Sequence, residues 1–413
     1  MSKTSRLIAS LLPGIFLIGY NIGTGSITAM SKAGANFGTG LLWAVLLSCL
    51  ITYHLMSLCS RFTIVTGMTL IEGFKKHISS WFAIAMLVIL SSIILSALIG
   101  VLGIIAEVLH IWTESFIDGG ISVTLCATIT ATCLYLLVII GNTNSFEKIL
   151  AILVAIMGVS FISTMIITFP GFENIASGFI PKIPEEVMGS DNNPLVVVSG
   201  VVGTTVSVFV LVIRTGLIKE KGWTIHDLKL DKRDSAVSAS LMFVISSAVM
   251  ITAATTLYEK GIRLNHIAEM IPMLEPIFGS FAISIFIIGI IAAGFSSHLP
   301  NLLVIPWILD DYRELNRNTS SLTNRTILLI LSAFSFIGVS FNIKPVYLML
   351  LSQACISVVL PLVVIAIIYL TSKKSIMGDY RTNKIDYIIL AGILLFAFYM
   401  SFQGIKGLII DLS

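Results

Sequence analysis

Charge is the scarcest ingredient of this sequence: of 413 residues only 11% are Asp, Glu, Lys or Arg, while 56% are hydrophobic. Soluble domains carry about a quarter charged residues, so this chain cannot wrap a core of its size in polar surface. Cysteine is scarce too. The five present (Cys49, Cys59, Cys126, Cys133 and Cys355) are odd in number and fall in or beside apolar runs. Without metal-ligand spacing they read as small core residues, not as a disulfide framework or a zinc site. Nucleophile–base sets, Gly-rich phosphate loops and nucleic-acid surfaces are also missing, which argues against an enzyme and against nucleic acid as a partner. The first apolar run follows Met-Ser-Lys-Thr-Ser-Arg and continues through a glycine break into a second half, so it reads as a span and not as a cleaved signal peptide.

What the chain has in quantity is apolar length. Eleven runs of Leu, Ile, Val, Ala and Phe fall at about 11–31, 38–59, 81–109, 120–140, 147–169, 194–217, 235–258, 276–299, 324–342, 345–370 and 386–406. Each is long enough to cross a hydrocarbon core of about 30 Å. The expectation is an all-α polytopic membrane protein, residues 1–413 forming one membrane domain with the lipid bilayer as its surroundings. Nineteen of the 25 Lys and Arg residues lie in the segments that share a side with the N-terminus. That bias places the N-terminus in the cytoplasm and the C-terminus outside, in a cell (inner) membrane. The polar connections around 170–193, 217–234 and 300–323 are of loop length, the last two with short amphipathic pieces such as Asp310–Leu315.

Two runs are interrupted. The first breaks at Gly23-Thr24-Gly25-Ser26, the sixth around Gly200, Gly203, Thr204, Thr205 and Ser207. Taken singly, such residues read as close helix packing. Each, however, opens a block of five spans, and paired interruptions at matching positions point to an inverted-repeat transporter with its site between the broken helices. The repeats would cover residues 11–169 and 194–370, with an extra span at 386–406.

These residues resemble a known family. Pro13 to Gly38 is similar, without gaps, to the first span of the NRAMP (natural resistance-associated macrophage protein) family of metal transporters, including Lys32-Ala-Gly-Ala-Asn-Phe-Gly38. Ser60-Arg-Phe-Thr-Ile-Val-Thr-Gly67 with Glu72, Asp234-Ser-Ala-Val, Ala292-Ala-Gly-Phe-Ser-Ser297 and Leu351 to Pro361 are similar to later parts. The resemblance implies a LeuT-type fold of five-plus-five inverted repeats and one further span, working by alternating access. It also implies a metal site, but the family's ligands are replaced. Gly23, Thr24, Gly25 and Ser26 stand at its Asp-Pro-Gly-Asn, and Ser207, Val208 and Phe209 at its Met-Pro-His. Leu87, Ile94 and Ala97 stand where the third span holds acidic residues, and of the expected liganding side chains Gln353 remains.

The substituted site favours other chemistry. Hydroxyls, one amide and carbonyls are weak ligands for a transition metal. A glycine break that starts a half-helix offers free N–H groups and a positive dipole end, which suit a carboxylate. The candidate substrate-binding set is Asn21, Gly23, Thr24, Gly25, Ser26, Gly203, Thr204, Thr205, Ser207, Phe209 and Gln353. Ala293, Ser296 and Ser297 put a carbonyl and two hydroxyls on one helical face, resembling the Na⁺ site of sodium-coupled LeuT-type transporters, so Na⁺ is the candidate coupling ion. No cofactor is expected. The leading expectation is a secondary transporter for a small polar or carboxylate-bearing solute, with Na⁺ symport as its candidate coupling. The alternatives are a divalent metal transporter (Mn²⁺, Fe²⁺ or Mg²⁺) and a non-transporting sensor or partner subunit. Arg214 is expected to line an inner vestibule or snorkel to the interface, and Glu107 and His110 to form an interfacial i, i+3 pair.

Overall fold

The computed structural model describes residues 23–140, 143–185, 193–279, 282–341 and 343–412, and every regular element among them is a helix. The main ones are α1 (Thr24–Phe37), α2 (Leu42–Thr66), α3 (Leu70–His77), α4 (Ser80–Glu114), α5 (Val123–Ile140), α6 (Thr143–Ile167) and α7 (Pro194–Thr205). They continue with α8 (Val208–Lys221), α9 (Leu228–Ala253), α10 (Ala282–Tyr312), α11 (Leu322–Ser335), α12 (Pro345–Ser372) and α13 (Lys384–Leu412). Among the described residues nine helical stretches are long and apolar enough to cross a membrane, α7 and α8 together forming one of them. The first half of the first expected span lies outside the described residues, and α1 is its second half.

The eighth span departs from the expected 276–299. Its helix, α10, runs from Ala282 to Tyr312 with Pro300 and Pro306 inside it. These prolines read in sequence as the start of a loop. In a membrane helix they are tolerated, because packed neighbours satisfy the backbone groups a proline frees, and both are buried here. The expected amphipathic piece at 310–315 therefore begins as the end of α10, where Asp310 accepts from the Asn324 side chain at 2.9 Å. Helix α3 was not expected at all, although Thr69-Leu-Ile-Glu72 spells a capping box. Thr69 N–H donates to Glu72 Oε2 at 2.8 Å, and Glu72 N–H returns to Thr69 Oγ1 at 3.4 Å.

Helix α12 runs through the middle of the bundle, packed on α7, α4 and α13, while α1 packs on α9 and α7, and α10 on α4 and α6. The α7–α12 contact explains Gly203. A Cβ there would stand 1.8 Å from the Gln353 carbonyl oxygen, so only glycine lets the two backbones approach this closely.

Candidate transport site

Two helix ends meet in the middle of the bundle. α1 starts at Thr24 after Gly23, which is extended (φ −88°, ψ −169°) and gives no side-chain cap. α7 stops at Thr205 and α8 restarts at Val208, the link being Val206 (φ −89°, ψ 56°) and Ser207 (φ −73°, ψ 120°). The sixth-span break thus falls beyond Gly200 and Gly203, which sit inside α7 and serve packing. Helix ends buried without partners are costly, and here neighbours supply them. Thr52 of α2 donates to the Thr205 carbonyl at 2.9 Å. The Thr24 amide donates to Ser297 Oγ of α10 at 3.2 Å, and Ser297 in turn donates to the Ala293 carbonyl at 2.8 Å.

Between these ends lies a cavity of about 40 Å³. It brings together Gly23, Gly25, Ser26, Thr204, Ser207, Phe209, Gln353 and Ser297 from the expected sets. Phe209 forms part of the wall and is not merely core. Thr205 stands beside the break with its hydroxyl turned back to the Val201 carbonyl at 3.0 Å, and the buried Thr24 hydroxyl has no hydrogen-bond partner. Asn21 lies outside the described residues. Ala293 and Ser296 do not line the cavity. The Ser296 and Ser297 hydroxyls both donate to the Ala293 carbonyl, at 3.0 and 2.8 Å, so the three oxygens of the expected Na⁺ site satisfy one another.

Asn301 of α10 and Met349 of α12 also line the cavity, with Ala97 and Val101 of α4 and Ile356 of α12. Sequence reasoning missed Asn301 and Met349, though spacing held the signal: Asn301 is four residues from Ser297, and Met349 four from Gln353, on the same helical faces. The donor set is therefore hydroxyls, two amides and one thioether, all neutral. Among the described residues no group of three or more His, Cys, Asp or Glu could hold a metal. The N-terminus of α1 offers an anion less than expected, since the Thr24 amide is spent on Ser297.

Three intramembrane polar residues differ from expectation. Arg214 neither lines a vestibule nor snorkels. It is fully buried in α8, bonded to Asp231 (2.6 Å), Asp234 (2.9 Å) and Ser235 (2.9 Å) beside α8 in α9 and to Ser60 (2.6 Å) in α2. A buried guanidinium requires such partners, and they tie α8 to α2 and α9. Glu107 and His110 do not pair with each other: Glu107 faces His266 at 3.7 Å and His110 faces Glu114 at 3.4 Å. Cys133 is exposed, whereas Cys49, Cys59 and Cys126 are buried and Cys355 partly so.

The match of a family model, Natural resistance-associated macrophage protein-like, extends over residues 14–405. The chain belongs to the NRAMP family. This NRAMP protein is 25% identical over 417 residues to the divalent metal cation transporter MntH of Caldanaerobacter subterraneus, covering 98% of this chain and 93% of that one. It is 25% identical over 386 residues to MntH of Verminephrobacter eiseniae, covering 89% and 82%. Its fold matches the Eremococcus coleocola manganese transporter, with a TM-score of 0.81 at 16% identity, covering 100% of this chain and 88% of that one. It also matches Mhp1, a nucleobase-cation-symport-1 family transporter, with a TM-score of 0.62 at 16% identity over 97% and 90%. The NRAMP chain is thus a multi-pass membrane protein of a transporter family, with the LeuT-type architecture expected from its sequence.

Proposed function

We propose that this NRAMP protein carries a small divalent metal cation across the membrane, binding it between the two helix breaks. The observation that carries this reading is the size of the cavity. About 40 Å³ has room for about three waters, whereas pockets for organic ligands span about 300–1,000 Å³. The cargo class is supported by the named relatives, which match along nearly the whole chain. The leading expectation from sequence, a carboxylate-bearing solute, has less support, because room is short and the Thr24 amide at the α1 terminus already donates to Ser297.

Neutral donors set the terms of binding. A bare dication among dipoles in a membrane interior is very costly, so the ion keeps part of its water shell. Hydroxyls of Ser26, Thr204 and Ser207 and the amides of Gln353 and Asn301 hold that shell, and Met349 adds one soft donor. Coupling to Na⁺ at Ala293, Ser296 and Ser297 would require the two hydroxyls to turn away from the Ala293 carbonyl. The bias of basic residues supports a cell-membrane location with the N-terminus in the cytoplasm.

Uptake into proteoliposomes tests the reading. Saturable Mn²⁺ uptake above protein-free vesicles is expected, and runs with and without a Na⁺ gradient report on coupling. Uptake of a small organic acid with no Mn²⁺ flux would overturn it.

A further inference from the structure

We propose that the membrane-facing recess between α2 and α9 binds one anionic phospholipid, with an acyl chain in the recess and the headgroup on Lys229, Lys232 and Arg233. The recess has a volume of about 280 Å³, against about 40 Å³ at the transport site. Its walls include Leu50 and Tyr53 of α2 and Ala236, Ser240 and Val244 of α9. Positions 236, 240 and 244 recur every fourth residue along one exposed stripe of α9, and the small side chains of Ala236 and Ser240 make the hollow. With α9 crossing the membrane, the medium that reaches this hollow is hydrocarbon, so the occupant has an apolar chain.

The same stripe identifies the headgroup. One and two turns beyond Ala236, toward the start of α9, it carries Lys232, Arg233 and Lys229, all exposed. The carboxylates of that helix end, Asp231 and Asp234, are instead turned inward onto Arg214. Four cations of neighbouring helices are neutralised, Lys75 by Glu314, Lys219 by Glu72, Arg61 by Asp386 and Arg317 by Asp311. Among the described residues Lys229, Lys232 and Arg233 form no ion pair. Three unneutralised cations at headgroup level, in line with an apolar hollow, complement a lipid that bears a negative headgroup and an acyl chain.

Native mass spectrometry of the full chain in detergent, titrated with dioleoyl phosphatidylglycerol, dioleoyl phosphatidylcholine or soluble glycerol phosphate, tests this. One phosphatidylglycerol is expected to stay bound, with phosphatidylcholine and glycerol phosphate binding far more weakly. The surface triple variant Lys229→Gln, Lys232→Gln, Arg233→Gln is expected to bind phosphatidylglycerol about a hundredfold more weakly, about fivefold per cation removed. Ser240→Phe, which fills the hollow, is expected to lose the lipid while keeping all three cations. Should the triple variant fail to fold, Lys229→Gln alone is expected to weaken binding about fivefold. Equal retention of both lipids, wild-type binding by the variants, or glycerol phosphate binding as tightly as the lipid would overturn the proposal. So would disulfide cross-linking of Ser240→Cys chains into dimers in native membranes, which would make the occupant a second copy.

Discussion

Gln353 leans over Gly25: a methyl group at position 25 would stand 2.7 Å from Gln353 Nε2 and 2.9 Å from Met349 Cε. Both contacts are with ends of flexible side chains, so the chain can accommodate the methyl, but only by pushing donors across a cavity of about 40 Å³. Gly25→Ala is expected to leave the melting temperature nearly unchanged and to cut Mn²⁺ uptake at least tenfold, the equivalent of about 1.4 kcal/mol. Parallel thermal melting and proteoliposome uptake check this.

Gly203 is the opposite case. Its added Cβ would meet backbone, at 1.8 Å from the Gln353 carbonyl oxygen. Gly203→Ala is expected to lower stability by about 1–3 kcal/mol or more, seen as a lower melting temperature in detergent. Loss of uptake should follow that loss of fold.

These two glycines show what was legible in the sequence. Both were flagged because glycine and hydroxyls interrupt apolar runs, and that reading pointed to the cavity between the two helix ends. It could not separate a glycine that lines a cavity from one that packs, since the difference depends on what α12 places opposite. Spans were legible from hydrophobic length, except where Pro300 and Pro306 suggested a loop inside a helix whose neighbours satisfy it. Met349 and Asn301 were passed over because neither residue type alone marks a site. The Arg214 cluster escaped because its partners, Ser60, Asp231, Asp234 and Ser235, come from two other segments of the chain.

Arg214→Met leaves Asp231 and Asp234 buried without their cation. Removing one partner of a buried ion pair costs about 3–5 kcal/mol, and the expected outcome is a large fall in melting temperature. Replacing both carboxylates as well, in the triple variant Arg214→Met, Asp231→Asn, Asp234→Asn, should recover part of the loss. A double-mutant cycle on thermal stability reads the difference.

Lys75 of α3 donates to Glu314 at 2.8 Å and to the Tyr312 carbonyl at 2.9 Å, docking α3 onto the end of α10. The hydrogen bond and charge of Lys75 hold the Glu314 carboxyl below its ordinary value of 4.5. A depressed carboxyl pKa stabilises the folded chain above the ordinary value, and that contribution is lost as pH falls through the folded one. The melting-temperature gap between wild type and Glu314→Gln should therefore be small but positive at pH 7. It should close on acidification below about pH 4.5.

The most direct measurement of the central claim is anomalous scattering from crystals grown with Mn²⁺, collected at the manganese absorption edge. The account predicts one peak in the cavity among Gly25, Ser207, Met349 and Gln353, lost in Gly25→Val. An empty cavity with manganese bound elsewhere on the chain, or an organic solute in its place, would contradict it.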